Sequence, residues 1–202
     1  MGNRGRYGKY GERKRLERLR DSKAGFITTR RRGIEPKGGS SSFPKRIHES
    51  PLRVRLAGPT DVGYIRDLSK RSFKQYGPYD NVLSRWFELG TTVTLLACQS
   101  KRAMGFAMFS RPLLNHPIPL EIEVLAIAVE HNRRRKGIGD LLMREVESAA
   151  HQLQVDKLLL HTAVENLPAC NLFKKHGFVP AEIKKDFYPL GQDALMMFKE
   201  ML

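Results

Sequence analysis

From residue 52 onward the chain alternates between two hydrophobic periods, one of strands and one of helices. Two-residue alternation or short apolar runs over 53–57, 91–98, 103–109, 121–129, 157–161, 178–184 and 194–201 predict strands. Pro59, Thr60 and Asp61 mark a helix start with Thr60 or Asp61 as cap, and Val62, Ile65, Leu68 and Phe73 carry its apolar stripe toward Gly77. A second short helix is expected over 81–89. A long one over 138–153 has Ile138, Leu141, Leu142, Val146, Ala149, Ala150 and Leu153 on its inner face. Asn166 caps a further helix that stops at Gly177. The segment 111–119 holds three prolines and reads as a loop, and 188–193 as the turn of a closing hairpin. Strands and helices thus alternate around one mixed sheet, an α/β (α+β) chain without internal repeats.

Charge divides this picture in two. Residues 1–50 carry 15 Lys/Arg against 5 Asp/Glu, a net of +10 out of the formal +15 for the chain. Few apolar groups in that stretch offset the entropy of ordering, so 1–50 is expected to be a disordered basic arm and 51–202 the folded domain. Tyr7 and Tyr10 among the arginines suit phosphate attraction with base stacking, so contact with RNA or a ribosomal surface is a candidate role for the arm. Cys98 and Cys170 lie in apolar segments, read as buried free thiols and form no metal-ligand pair. No apolar run spans a bilayer and none follows the basic N-terminus as a secretory signal would require; the expected location is cytoplasmic, without membrane or metal.

The chemistry concentrates after the strand 121–129. Arg134, Arg135, Lys136, Gly137, Ile138, Gly139 and Asp140 follow it and run into the long helix. A helix start has unpaired N–H groups and the positive end of the dipole, so it attracts an anion. Gly137 and Gly139 let the backbone approach that anion, and the arginines add fork-shaped donors. A phosphate loop of the Gly-Lys-Ser/Thr kind is excluded because Asp140 follows Gly139, and a dinucleotide fingerprint because Leu142 stands at the third glycine position. A basic turn with a helix cap is the competing structural reading.

The stretch 127–140, then Asn166-x-x-Ala169-x-x-Leu172-Phe173-x-Lys175-x-Gly177-Phe178, resembles the GNAT acetyltransferase superfamily. The end, Phe187-Tyr188-Pro189-x-Gly191-x-Asp193-Ala194-Leu195-Met196-Met197, is similar to RimI-type and Ard1-like N-terminal acetyltransferases. The likeness is good over 121–198, vague over 52–120 and absent from 1–50. It implies a GNAT fold, a mostly antiparallel sheet of about seven strands splayed in the middle with about four flanking helices. It also implies acetyl-CoA as acyl donor and a peptide or protein N-terminus, conceivably ribosomal, as acceptor, by direct attack in a ternary complex. On that likeness the backbone of Ile127, Ala128 and Val129 pairs with the pantetheine amides. Arg134, Arg135, Lys136, Gly137, Ile138, Gly139 and Asp140 hold the pyrophosphate, Asn166 binds the pantetheine arm, and Phe173 lies at the coenzyme sulfur.

Acetyl transfer to an amine needs a base for the ammonium proton and a group for the departing thiolate. Glu121 and Glu123 share strand parity and so one face. Glu123 lies where histone-type relatives carry a catalytic glutamate, and His161 where RimI-type relatives place one, so these two are the rival bases. Backbone N–H groups near Val124 and Leu125 are candidates to hold the acyl oxygen. Phe173 departs from the tyrosine many relatives use as general acid, which leaves water, Tyr188 or solvent for the thiolate. Tyr188 matches a residue that binds the substrate backbone in such relatives, and Phe187 replaces its partner tyrosine. His116, His131, His151 and His176 are placed in loops or on helix surfaces and receive no role. Two other functions stay open: a GNAT enzyme for a small amine or antibiotic, and a non-enzymatic ribosome- or RNA-binding module on the same fold.

Overall fold

The computed structural model describes residues 50–111 and 120–201. The readings made for the basic arm up to residue 49, and for the proline loop with His116, fall outside the described residues. Seven strands form one sheet, β1 (Leu52–Leu56), β2 (Thr92–Gln99), β3 (Arg102–Ser110), β4 (Glu121–Val129), β5 (Lys157–Ala163), β6 (Val179–Lys184) and β7 (Ala194–Glu200). Their order is β1-β2-β3-β4-β5-β7-β6, and only the β4–β5 pair is parallel. Four α-helices flank it, α1 (Val62–Phe73), α2 (Tyr79–Glu88), α3 (Ile138–Gln152) and α4 (Leu167–Lys175). The strand and helix sequence thus follows the hydrophobic periods.

One sheet face is sealed by α1 and α2, with Ile65, Leu68 and Leu83 packed on Leu96, Cys98, Phe106, Met108, Ala126 and Ala128. The opposite parity, Leu95, Ala97, Ala107 and Phe109, is equally buried and lies under α3, which contacts β1 to β4. Each fully buried Leu or Phe here contributes about 1.5–3 kcal/mol relative to an exposed one. Helix α3 buries Ile138, Leu142, Met143, Val146, Ala149 and Ala150, whereas Leu141 is only half-buried. Its inner stripe therefore leans toward Met143, where a stripe read on a helical wheel had favoured Leu141. Cys98 and Cys170 are both buried free thiols. Among the described residues no helix is long and apolar enough to cross a membrane.

Two helix ends show how local chemistry sets the geometry. Pro59–Asp61 forms a 3-10 turn before α1, and neither Thr60 nor Asp61 caps the helix through its side chain. Asp61 is drawn backward instead: its carboxylate accepts from Gly58 N–H at 2.8 Å and from the Arg55 guanidinium at 2.7 and 2.8 Å. The helix also ends earlier than the stripe suggested, at Phe73, and the chain turns through Gly77 into α2. At the end of α4, Gly177 adopts φ +81°, Phe178 N–H bonds Phe173 O at 3.0 Å and Gly177 N–H bonds Lys174 O at 3.0 Å. This is a Schellman stop, completed by the packing of Phe178 on Phe173, ring centroids 5.9 Å apart.

Candidate active site

The site begins with a fault in β4. Met108 pairs with Ala126, but its neighbour Phe109 pairs with Val124, so Leu125 is an extra residue with no partner in the β3 register. The bulge exchanges the faces of the strand: Ala126 and Ala128 lie on the α1–α2 side together with Glu123, while Val124 lies with Phe109 on the other. The β4–β5 ladder stops at Val124–Leu160. Beyond it the two strands part, and the β5-facing backbone from Leu125 to Val129 has no strand to pair with. Backbone polar groups in such a gap require a partner, and an extended ligand supplies one.

Glu123 and His161 meet at the fork. Glu123 stands opposite Leu159, and His161 is two residues further along β5, a diagonal neighbour on the same face. His161 Nδ1 and Glu123 Oε1 are 2.8 Å apart, with side-chain exposures of 15% and 39%. The two rival bases are therefore one hydrogen-bonded pair. Since a carboxylate only accepts, Nδ1 carries a proton; Nε2 is buried and without a partner among the described residues, and in the neutral ring it holds the lone pair. Phe187 stacks on the imidazole at 4.6 Å and 13° and fixes the ring plane. Glu121 turns to Lys157 at 3.6 Å and takes no part in the pair.

The wall facing this pair is aromatic. Tyr188 packs on Tyr76 at 4.9 Å and edge-on to Tyr79 at 6.1 Å, joining the α1–α2 connection to the β6–β7 hairpin. Gln192 Nε2 donates to Gln75 O at 2.6 Å, and Gly77, at φ +137°, lies so close to Pro189 that a Cβ would sit 2.9 Å from its ring. Burial pushes the Tyr188 phenol well above its ordinary range, with Tyr79 and Tyr76 adding to the effect, so it stays a proton donor. The cleft between this wall and the fork is lined by Tyr76, Val124 to Ile127, His161, Asn166, Phe173 and Tyr188. Phe173 is buried and offers no donor. Asn166 Oδ1 accepts from Ala169 N–H at 3.4 Å as the cap of α4, which leaves its amide N–H groups for the cleft.

At the other end of the fork, Arg135 and Gly137 both adopt left-handed backbone, φ +58° and +78°. Alternation of this kind turns successive N–H groups inward into a concavity suited to an anion. Gly137 is the cap of α3 and no side chain closes that end, so the N–H groups of Ile138, Gly139 and Asp140 have no intrahelical acceptor. A Cβ on Gly139 would stand 3.3 Å from Leu172 Cδ2, so this glycine lets α3 and α4 approach. Arg135 and Lys136 are exposed. Arg134 instead donates Nε–H to Val129 O at 3.2 Å, folding the loop back on β4 and engaging one of the backbone groups assigned to the pantetheine. The Asp140 carboxylate points away from the anion cradle, to Lys175 and Arg144 at 2.6 Å and His176 at 3.1 Å. Lys175 first, with Arg144 and His176, holds Asp140 below the usual carboxylate range. His176 is not the loop or surface residue expected; its side chain is 7% exposed. No group of three or more His, Cys, Asp or Glu among the described residues is placed to share a metal.

A splayed parallel pair, a bulge at the fork and a left-handed turn at an uncapped helix start frame one cleft beside the Glu123–His161 pair. A sequence profile of the acetyltransferase (GNAT) family matches residues 62–178. An N-alpha-acetyltransferase of Sulfurisphaera tokodaii is 36% identical over 152 residues, covering 72% of this chain and 90% of that protein. The fold superposes on the ribosomal-protein-S18-alanine N-acetyltransferase of Escherichia coli with a TM-score of 0.64 at 20% identity, over 75% of this chain and 94% of the other. Arabidopsis thaliana NAA60 in complex with acetyl-CoA gives 0.65 at 18% identity, over 75% and 99%. The chain belongs to the acetyltransferase (GNAT) family. It is an N-acetyltransferase, and its acyl donor is acetyl-CoA.

Proposed function

We propose that the chain acetylates the α-amine of a protein N-terminus. The observation that carries this is the Glu123–His161 pair at 2.8 Å, set in a cleft whose facing wall is built by Tyr76 and Tyr188 from two connecting loops and by Tyr79 at the start of α2. A terminal amine is a compact nucleophile followed by a peptide backbone, and it needs both a base and hydrogen-bond donors along that backbone. His161 Nε2 takes the ammonium proton, directly or through water, while Glu123 holds the ring in the required tautomer and offsets the charge it gains. The Tyr188 hydroxyl donates to the acceptor's backbone. Backbone N–H groups at Val124 and Leu125, beside the bulge, support the acyl oxygen. Bound acetyl-CoA supplies the activated thioester; the N–H groups of 138–140, the 135–137 loop and Asn166 hold it. Likeness to an N-alpha-acetyltransferase over 90% of its length and to the fold of a ribosomal-protein-alanine enzyme supports a polypeptide acceptor, with ribosomal proteins as the first class to try. In that setting the net +10 of residues 1–50 serves attraction to rRNA.

The test is a peptide array incubated with labelled acetyl-CoA, comparing free N-termini, blocked N-termini carrying lysine, and small amines. Label confined to free N-termini supports the proposal. Label on lysine or on small amines alone refutes it.

A further inference from the structure

The anion cradle opens a helix whose first turn contains an acid, Asp140, and this is electrostatically the wrong sign for holding a pyrophosphate. The fold corrects that charge with a buried network behind the cradle. His176, which follows the last turn of α4, sits between two carboxylates of α3: its Nε2 is 3.1 Å from Asp140 Oδ1, and its Nδ1 is 3.2 Å from both oxygens of Glu147. Lys175 and Arg144 close on Asp140 at 2.6 Å, and Lys199 of β7 reaches Glu147 at 2.7 Å. Lys175 and Arg144 are largely exposed, at 68% and 59%, so water screens much of their effect; His176, at 7%, is the inner partner of both carboxylates.

The geometry also bears on the proton count. A neutral imidazole has one N–H, so with acceptors on both sides its second nitrogen would turn a lone pair toward a carboxylate. Only the doubly protonated ring donates to Asp140 and Glu147 together.

We propose that His176 is a positioning residue for acetyl-CoA: as an imidazolium it ties α3 to the end of α4 and cancels the charge of Asp140 behind the pyrophosphate cradle. It touches no part of the reaction. It sets the spacing of the two helices that bear the cofactor contacts, α3 through its N–H groups and α4 through Asn166 and Phe173. This rests on the assignment of the pyrophosphate to residues 135–140. The charged groups facing the ring are Asp140 and Glu147 of α3, with Arg144, Lys175 and Lys199 on their far sides.

Two measurements on the full chain test it. Long-range ¹H–¹⁵N spectra of histidine-labelled protein at neutral pH are expected to show both His176 nitrogens protonated; a single N–H overturns the proposal. Calorimetric titration with acetyl-CoA is expected to give a Kd about three- to tenfold weaker for His176→Gln, with the loss in KM for acetyl-CoA rather than in kcat. An unchanged Kd overturns the proposal. If His176→Gln does not fold, the spectra decide. Loss of binding in a Gly137→Asp/Gly139→Asp protein while His176→Gln binds normally removes the role of His176 alone; intact binding in the double-glycine variant removes the cofactor site itself.

Discussion

Replacing Glu123 by Gln removes a charge and leaves a shape. Glutamine still accepts the Nδ1–H of His161 through its amide oxygen, so the tautomer and the stacking on Phe187 survive. What is lost is the attraction between a carboxylate and the imidazolium formed when Nε2 takes the amine proton. Two unit charges about 4 Å apart interact by about 4 kcal/mol at an effective dielectric of about 20. Glu123 is 39% exposed, however, and water screens much of that interaction. About 1–2 kcal/mol remains, which corresponds to a fall in kcat/KM of about five- to thirtyfold. Removing the base by His161→Ala is expected to cost about 10²–10⁴-fold in kcat. Because Glu123 acts through His161, adding Glu123→Gln to His161→Ala is expected to cost almost nothing more. The assay is steady-state acetylation of a free-N-terminus peptide at saturating acetyl-CoA for the wild type, both single variants and the double variant. If Glu123→Gln slows the His161→Ala enzyme as much as it slows the wild type, the two residues act independently and the pair reasoning fails. If neither single variant slows turnover at any pH, both are structural.

Two further outcomes are expected. Gly137→Asp with Gly139→Asp brings two carboxylates to the helix start and is expected to weaken acetyl-CoA binding by on the order of a hundredfold; a Gly→Ala pair, which shares the backbone strain at φ +78° without the charge, serves as control, and equal loss in both variants contradicts the electrostatic account. Arg55, through its hydrogen bond to Asp61, holds that carboxyl below the ordinary range, so the folded state gains stability above the unfolded-state value and loses it as pH falls through the lowered one. Asp61→Asn is accordingly expected to lower the unfolding free energy at neutral pH by about 0.5–1 kcal/mol, discounted because Arg55 is 49% exposed, and the difference is expected to vanish in acid; a difference in urea denaturation that persists at low pH counts against it.

Much of this architecture was legible in the sequence because each element buries one face and its period shows. The start of α3 was legible too, since basic residues and spaced glycines after a strand mark a turn into a helix. What escaped depended on register. The strand 121–129 reads as unbroken alternation, and its burial does alternate throughout, yet the bulge at Leu125 exchanges the faces beneath that pattern. Glu123 and His161 looked like rivals because nothing local reveals how two parallel strands joined through a long helix align. Phe187 read as a missing tyrosine, whereas its ring stacks on His161 and meets Tyr188 edge-on. His176 read as a loop or surface residue because its carboxylate partners lie on another helix. Asp61 read as a cap because the pull of Arg55 comes from a strand, not from the helix it precedes.

The fork between β4 and β5 has a further consequence. A sheet that stops pairing at Val124 is, without its cosubstrate, a structure with one seam left open. Anything that binds the folded cleft and not the unfolded chain stabilises the fold, by about 2.7 kcal/mol when present at about a hundred times its Kd. On the proposed placement, acetyl-CoA closes the seam as well as supplying the acyl group, and the unfolding free energy rises with its concentration even when no acceptor is at hand.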